Sequence, residues 1–245
     1  MKNIEVCLSP ETLNLYGVEN KIVVVVDILR ATSCMTTAFA HGVKGIIPVS
    51  SLAECAEYKK KGYVAAAERD GKKEEGFDMG NSPYSYMDES LAGKTIAMTT
   101  TNGTIAIKKC AQASEIIIGS FLNKTAIINY LVQQNQNALI LCAGWKGKMN
   151  IEDTIFAGAL MEGLKGSFQA DNDSALAALT LYNASKSNLF KFITANSSHY
   201  KRLKNLNLDK DIRFCLQTDL YPIIPVMKGD HMEMMEQELV RAAVG

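Results

Sequence analysis

Short runs of β-branched and other apolar residues alternate with segments of helical periodicity along most of this chain. The apolar runs predict strands, the first within MKNIEVCLSP and the others at 22–26, 45–49, 63–67, 94–98, 115–118 and 138–142. The helical patterns lie at 31–41, 52–61, 105–110, 124–134, 151–164 and 173–186. Strands that alternate with helices are typical of βαβ units and of a mostly parallel sheet covered on both faces.

This order of elements predicts an α/β fold of layered α/β/α architecture, with a mostly parallel or mixed sheet. A shift in composition at GWKGKMN, residues 144–150, indicates two α/β parts. We place residues 1–145 in an N-terminal part that carries most of the strand-end loops, and residues 146–245 in a C-terminal part.

Composition and charge exclude several classes of partner. Lys and Arg together number 26 and so do Asp and Glu, so there is no basic excess to hold nucleic acid. The apolar runs are far shorter than the roughly 18 residues of a membrane helix, and the N-terminus lacks the apolar region of a signal peptide. We expect a cytoplasmic chain. Its six scattered cysteines show no C-x-x-C spacing, which indicates buried apolar residues rather than disulfides or zinc ligands.

Acidic residues and arginines follow two of the predicted strands. In open parallel sheets, ligands bind beyond the carboxyl ends of the strands. DILRAT places Asp27 and Arg30 after the strand at 22–26, where they are either a metal and phosphate pair or a helix N-cap with its arginine. ERDG places Glu68 and Arg69 after the strand at 63–67, with an exposed salt bridge as the alternative.

A polar insert, ERDGKKEEGFDMGNSP, covers residues 68–83 and suits an exposed functional loop. Ser82 and Pro83 are typical of a helix start. Asp78 and Asn81 come just before that start, where they are free to reach a ligand.

The stretch MTTTNGT follows the strand at 94–98 and precedes a helix. Its hydroxyls and amides, in Thr100, Thr101, Asn102, Gly103 and Thr104, favour an anion above the sheet edge. It lacks the G-x-x-x-x-G-K pattern of a Walker A loop. The alternative is a threonine-rich turn that satisfies its own backbone.

Further polar residues follow the last two predicted strands of this series. Ser120 and Asn123 come after 115–118, and Glu152 and Asp153 open the helix that follows 138–142. First-turn acids also suit a helix dipole, which is a structural alternative for both carboxylates. Cys142 lacks the arginine six residues on and the nearby histidine that a cysteine phosphatase needs, and we interpret all three histidines as structural.

Six segments resemble one family in order and spacing: VVVVDILRAT, ERDGKKEEGFDMGNSP, MTTTNGT, IIIGSFLN, LCAG and NIEDTIFAGAL. This is the 2-phosphosulfolactate phosphatase (ComB) family, and the resemblance extends into the C-terminal SHYKRLKNLNLDKDIRFCLQTDLYPIIPV. It implies two layered α/β/α parts, a need for Mg²⁺, and hydrolysis of 2-phospho-3-sulfolactate to 3-sulfolactate and phosphate in coenzyme M biosynthesis. One departure is ERDG where the family often has ERGG, which adds Asp70 close to the predicted site.

The predicted site residues fit a mechanism of positioning and charge neutralisation. We expect Mg²⁺ on Asp27, with help from one or more of Glu68, Asp78, Glu152 and Asp153. Arg30 and Arg69 would bind phosphate oxygens through their planar forks. The remaining substrate contacts are assigned to Asn81, Ser82, Thr100, Thr101, Asn102, Gly103, Thr104, Ser120 and Asn123. The nucleophile is either a metal-bound water or an aspartate, with Asp27 as the first candidate.

Three other functions remain open at this point. One is a non-catalytic protein that binds anions at the same loops, and a second is a family phosphatase for another small acidic ester. A nucleotide-cofactor enzyme is disfavoured because no G-x-G-x-x-G follows an early strand. The expected partner is therefore a small anionic phosphate ester, with neither nucleic acid nor membrane, and a homodimer is the default assembly.

Overall fold

The structure, a computed structural model, describes residues 1–236. Eleven strands of this part form one sheet in the order β5-β4-β6-β3-β11-β10-β7-β2-β8-β1-β9. Their bounds are β1 Lys2–Cys7, β2 Ile22–Val26, β3 Gly45–Pro48, β4 Val64–Arg69, β5 Lys72–Lys73, β6 Thr95–Thr99, β7 Glu115–Gly119, β8 Ala138–Cys142, β9 Phe168–Ala170, β10 Pro225–Lys228 and β11 His231–Met234. The strands predicted from the apolar runs are all present, within two residues at each end.

Nine α-helices flank or connect these strands within the described residues. They are α1 Ala31–Ala40, α2 Leu52–Lys60, α3 Gly103–Lys109, α4 Lys124–Gln134, α5 Ile151–Gly163, α6 Asp173–Ser185, α7 Leu189–Asn196, α8 Ser198–Lys204 and α9 Asp209–Cys215. The six predicted helices are confirmed. The last three were not predicted: α8 and α9 are short and polar with little apolar periodicity, whereas α7 is an apolar segment of only eight residues.

Strand pairing makes the sheet mixed. β2 runs parallel to both β7 and β8, and β6 runs parallel to β3 and β4. The β10–β11 hairpin pairs antiparallel with β7 on one side and with β3 on the other. The α/β fold with a mostly parallel or mixed sheet is therefore confirmed. Strands from both sides of residue 145 share this sheet, and the division into two parts stays a prediction.

Alternation along β2 builds two cores, one on each face of the sheet. Val24 and Val26 belong to the apolar cluster that contains Phe156 of α5. Val23 and Val25 point the other way, into the cluster that contains Met35 of α1. A strand with period-2 alternation can bury all its residues only when helices cover both faces. This explains the uninterrupted IVVVV sequence.

Two other expectations concern the cysteines and membrane-spanning helices. All six cysteines are free and buried, as their scattered spacing predicted. Among residues 1–236, no helix is both long enough and apolar enough to cross a membrane.

Candidate active site

A narrow cavity lies at the carboxyl ends of β2, β4 and β6, against helix α8. It is lined by Asp27, Leu29, Arg30, Glu68, Gly71, Asn81, Thr101, Asn102, Trp145, His199, Arg202 and Leu203. A larger open groove of about 1070 Å³ is formed by residues 10–19 with Lys109 and Gln112. Only the narrow cavity brings acids, guanidinium groups and an imidazole together, so we regard it as the candidate site.

Asp27 is fixed by its backbone and leaves its carboxylate available. Its carbonyl oxygen accepts hydrogen bonds from the amide and hydroxyl of Thr32, at 3.0 and 2.9 Å, and its own amide donates to that hydroxyl. The carboxylate receives one long bond, 3.4 Å, from the Ala31 amide. Helix capping therefore does not occupy the Asp27 carboxylate, which is 6% exposed and lines the cavity.

Burial raises the pKa of Asp27 to about 6. His199 opposes this rise, whereas the neighbouring carboxylates Glu68 and Glu152 add to it. A carboxylate in this position lacks a full counter-charge, and a bound cation or protonated neighbour would stabilise its ionised form.

Gly103 permits this arrangement by having no side chain. A Cβ at this position would lie 2.7 Å from the Ala31 Cβ and 2.9 Å from the Asp27 Oδ2. Both separations are too short for real contacts, so a larger residue would push α3 away from Asp27. Gly103 is buried and its role in the structure is close packing.

Glu68 ties the MTTTNGT loop to the end of β4. Its Oε1 accepts from the Gly71 amide, and its Oε2 accepts from the Thr101 amide at 3.3 Å. Arg69 turns to the other side, where it donates to the Glu68 carbonyl and to Thr99 Oγ1, and it does not line the cavity. Glu68 and Arg69 form no salt bridge with each other in the described part of the chain.

Arg30 lies at the cavity wall with two of its nitrogens occupied. Nη1 forms a buried ion pair with Asp211 of α9, and Nη2 donates to the Gly71 carbonyl at 2.8 Å. The other oxygen of Asp211 accepts from the Ser82 hydroxyl at 3.1 Å. Arg30 therefore presents a guanidinium whose plane is fixed by partners from two segments, one of which Ser82 supports in turn.

His199 is held by Glu152. The Nδ1 of His199 contacts Glu152 Oε1, and the Ser197 hydroxyl donates to Glu152 Oε2 at 3.0 Å. Glu152 is fully buried and His199 is nearly so. If Nδ1 carries the proton toward Glu152, the Nε2 of the neutral ring is left as an acceptor. The structural role that we predicted for His199 does not account for its place at the cavity.

Arg202 lies on the same helix and stacks on Trp145. Its Cζ is 3.2 Å from the centre of the indole ring, which His199 also stacks against at 5.4 Å. Nε and Nη2 of Arg202 are buried and have no hydrogen-bond partner among the described residues. The sequence analysis missed Trp145 and Arg202. The i, i+3 spacing of His199 and Arg202 on one helix face was the available signal.

Of the residues predicted to hold a metal, Asp27, Glu152 and Asp153 lie close together, since Glu152 adds to the rise that burial causes in the pKa of both aspartates, whereas Asp78 lies apart from them. The structure shows no group of three or more Asp, Glu, His or Cys residues suited to a metal within residues 1–236. Asp153 accepts from the Ile28 and Gly144 amides and from Asn150, so both its oxygens are engaged. Burial and Asp27 raise its pKa well above the ordinary range. Asp78 pairs with Lys59 near the start of β4 and does not line the cavity.

A metal with few protein ligands nevertheless fits the cavity. Asn81 is 7% exposed, and its Oδ1 is buried without a hydrogen-bond donor in the described residues. Asp27 lines the same cavity. Carboxylate and carboxamide oxygens are hard ligands, and Mg²⁺ commonly takes only one or two of them while keeping waters and substrate oxygens.

Several predicted substrate ligands are engaged within the protein. Thr100 and Thr104 bond each other, amide to hydroxyl, at 3.2 and 3.1 Å. Ser120 and Asn123 form a buried capping box, and the Asn123 amide also bonds the Ile223 carbonyl. None of these four lines the cavity, and neither does Ser82. From the predicted anion loop, only Thr101 and Asn102 line it.

Two further residues that the sequence analysis singled out do not line the cavity. Cys142 is fully buried, and burial raises its pKa well above the ordinary value, so its thiol is a poor nucleophile. Asp70 faces solvent and pairs with Lys146 at 3.1 Å. Its positive φ of 51° is one that glycine adopts without strain, which suits the glycine of the related ERGG sequence.

Comparisons with known proteins agree on one family. A family model described as 2-phosphosulpholactate phosphatase matches residues 7–230. The chain is 42% identical over 224 residues to a "Probable 2-phosphosulfolactate phosphatase" of Caldanaerobacter subterraneus subsp. tengcongensis, covering 89% of this chain and 92% of the relative. Proteins of the same name from Thermotoga maritima and Clostridium acetobutylicum are 41% and 36% identical. These matches cover 86% and 91% of this chain, and 90% and 96% of the relatives.

Proposed function

The chain belongs to the 2-phosphosulpholactate phosphatase family, a family of phosphoric monoester hydrolases, and we propose that it hydrolyses 2-phospho-3-sulfolactate to 3-sulfolactate and phosphate with Mg²⁺ as cofactor. This reaction would place it in coenzyme M biosynthesis. The enzyme class follows from the family. The substrate, the metal and the pathway are the proposed part.

One observation carries the proposal. Asp27, Arg30, His199 and Arg202 line a single, mostly enclosed cavity at the carboxyl edge of the sheet. A phosphate monoester resists attack because its own charge repels a nucleophile, so catalysis depends on neutralising that charge and positioning the reacting groups. The Arg30 guanidinium, the His199 imidazole and the free Asp27 carboxylate, together in one desolvated space, supply these requirements.

Asp27, with the Asn81 carbonyl oxygen, would hold the Mg²⁺ ion, which supplies positive charge to the phosphate oxygens when bound. Glu152 and Asp153 are left out of this proposed set because hydrogen bonds within the protein engage both oxygens of each.

The chain's own groups orient the ester. The fixed plane of the Arg30 guanidinium faces the cavity, where its remaining edge can bind phosphate oxygens. Thr101, which Glu68 holds by hydrogen bonds, places further polar groups along the cavity. Precise placement of this kind lowers the activation barrier, because the bound ester has already lost the translational and rotational entropy that a reaction in solution must lose.

His199 is placed to handle the proton. As the bond from phosphorus to the ester oxygen breaks, that oxygen takes up the electron pair and needs a proton. Protonated on both ring nitrogens, His199 donates this proton from Nε2 and becomes the neutral ring, while Glu152 holds its Nδ1–H. The attacking oxygen comes from water, which leaves one proton on the product phosphate and releases the other to solvent, from which His199 is reprotonated, or it comes from the Asp27 carboxylate. In the second case an acyl phosphate forms first and water then hydrolyses it.

Phosphate release from 2-phospho-3-sulfolactate tests the proposal. We expect release with Mg²⁺ and its loss in EDTA, with slower turnover of other small phosphate esters measured in parallel. Release only from other esters would reject the proposed substrate and keep the enzyme class. Release that is unchanged in EDTA would reject the metal.

A further inference from the structure

We propose that Arg202 and Trp145 form a subsite for a second anionic group of the substrate, separate from the position of the phosphoryl group. The proposed ligand is the carboxylate or sulfonate of a small phosphate ester. This inference rests on the proposed function and specifies which residue recognises the rest of the substrate.

The first step is the unsatisfied edge of Arg202. Nε and Nη2, the two nitrogens of its side-on edge, are buried and have no acceptor among residues 1–236. No carboxylate of this part of the chain lies within salt-bridge distance of the guanidinium. Buried charged donors are costly without an acceptor, and nearly all are paired in native structures. A ligand that brings two oxygens to this edge would satisfy both donors.

The second step is the fixed plane of the group. The guanidinium lies flat on Trp145, with its Cζ 3.2 Å from the ring centre. Stacking on an indole holds a guanidinium by cation–π attraction and leaves its edge free. The edge is therefore oriented before a ligand arrives. Carboxylate and sulfonate groups both present two oxygens that match such a fork.

The third step separates this edge from the phosphoryl position. His199 and Arg202 are three residues apart on α8, so their Cβ atoms lie roughly 5–6 Å apart. His199 Nδ1 contacts Glu152, whereas no carboxylate of the described residues lies within salt-bridge distance of Arg202. With the phosphoryl group between Asp27 and His199, the Arg202 edge lies farther along the helix. An acidic group on a neighbouring carbon atom of the ester would reach it.

A substrate series with two variants tests the subsite. The esters are 2-phospho-3-sulfolactate, 2-phospholactate, which lacks the sulfonate, and isopropyl phosphate, which lacks both acidic groups. The variants are Arg202→Met and, as matched control, Lys201→Met, which removes an exposed charge from the same helix. Because one fork to an anion is lost, we expect Arg202→Met to reduce the preference for anionic esters over isopropyl phosphate roughly 10- to 100-fold, mainly through KM. Lys201→Met should keep the wild-type preference.

The pattern of losses identifies the group that is bound. If Arg202→Met loses the preference for 2-phospho-3-sulfolactate over 2-phospholactate, Arg202 binds the sulfonate. If it loses the preference for 2-phospholactate over isopropyl phosphate, Arg202 binds the carboxylate. Equal loss on all three esters would mean that Arg202 binds phosphate, and no loss on any would mean that it is structural. Either of these results overturns the proposal. Arg202→Lys, which keeps the charge and loses the fork, should show an intermediate loss and covers the case in which Arg202→Met does not fold.

Binding of 3-sulfolactate separates this inference from the proposed function. This compound has no phosphate, so its affinity, measured by calorimetry, does not depend on turnover. We expect the wild-type chain to bind it and Arg202→Met to bind it at least 10-fold more weakly. If no ester is hydrolysed but this difference holds, the proposed function fails and the subsite stands. A wild-type chain that does not bind 3-sulfolactate overturns the subsite.

Discussion

The cavity has two walls of different origin. One wall consists of strand ends: Asp27 after β2, Glu68 at the end of β4, and Thr101 after β6. The other is helical, with His199 and Arg202 on α8 and, behind the cavity lining, Asp211 of α9. We call these the strand-end wall and the helical wall. The strand-end wall carries a free carboxylate, and the helical wall carries an imidazole and a guanidinium.

Charge pairing crosses between the two walls. Asp211 of the helical wall pairs with Arg30, which follows β2, and Glu152 of α5 pairs with His199. Each pair has one member on α8 or α9 and one at a strand end or the helix after it. The helical wall is therefore attached by buried polar contacts as well as apolar packing. We therefore expect the strand-end wall to supply the reaction centre and the helical wall to supply proton transfer and recognition of the substrate.

Asp27→Asn tests the strand-end wall, and we expect the largest effect from it. The substitution preserves shape and removes the charge, so turnover with Mg²⁺ should fall roughly 1000-fold or more. Steady-state kinetics on 2-phospho-3-sulfolactate measures this. Turnover at the wild-type rate would show that Asp27 is not part of the reaction centre. The strand-end wall would then not have the catalytic role proposed for it.

The same variant should be more stable than the wild type at high pH in EDTA. The folded pKa of Asp27, about 6, exceeds its ordinary value of 3.8, so the folded state binds the proton more tightly. The stability contribution is complete below pH 4 and is lost as pH rises through about 6, by up to roughly 3 kcal/mol. Asp27→Asn lacks this loss. Urea unfolding at pH 4 and pH 8 should show a difference at pH 8 alone.

His199→Gln tests the helical wall. Because the proposed role is protonation of the leaving oxygen, turnover of 2-phospho-3-sulfolactate should fall roughly 100-fold. p-Nitrophenyl phosphate has a leaving group that needs no proton, so its hydrolysis should fall far less. Equal losses on the two esters would show that His199 positions the substrate and does not donate a proton.

Asp211→Asn tests the contact between the walls. The substitution leaves the Arg30 guanidinium buried without its carboxylate, which typically costs about 3–5 kcal/mol of stability. Asp209→Asn, at an exposed position on the same helix, keeps the acceptor for the Tyr200 hydroxyl and should cost less than about 1 kcal/mol. Chemical unfolding of both variants gives the comparison. Similar unfolding midpoints would mean that the ion pair does not hold α9 against the site.

The two walls also differ in how far the sequence predicts them. Parallel strands bring their carboxyl ends to the same side of a sheet, so strand patterns alone could select Asp27, Glu68 and Thr101 as candidates, although not the strand order that brings them together. The same reasoning also selected Ser120 and Asn123, which turn into a capping box. Whether a polar side chain at a strand end faces the ligand or the backbone depends on a few dihedral angles, which residue spacing does not determine.

The helical wall depends on contacts across long sequence separations. Arg30 and Asp211 are 181 positions apart, and Glu152 and His199 are 47 apart. No local propensity relates such residues, and α8 and α9 have only seven residues each. The antiparallel β10–β11 hairpin, which follows these helices, lies between two strands of the parallel order. Its position arises from tertiary packing, and the sequence offered no pattern for it.

Asp78→Asn has the smallest expected effect and tests whether Asp78 belongs to the metal site at the strand-end wall. The sequence analysis made Asp78 a metal ligand, but in the structure it pairs with Lys59 at 2.6 Å and both side chains are about 40% exposed. Exposed pairs contribute at most about 1 kcal/mol, and asparagine can still accept the Ala65 amide, so stability should change by less than that. Turnover and its Mg²⁺ dependence should stay within twofold of the wild type. A rise in the Mg²⁺ concentration needed for half-maximal rate would return Asp78 to the metal site and require the 68–83 segment to move toward Asp27.

Lys59→Met then distinguishes the two roles. It should match Asp78→Asn if only the surface pair matters, and it should leave the Mg²⁺ requirement unchanged if Asp78 binds the metal itself.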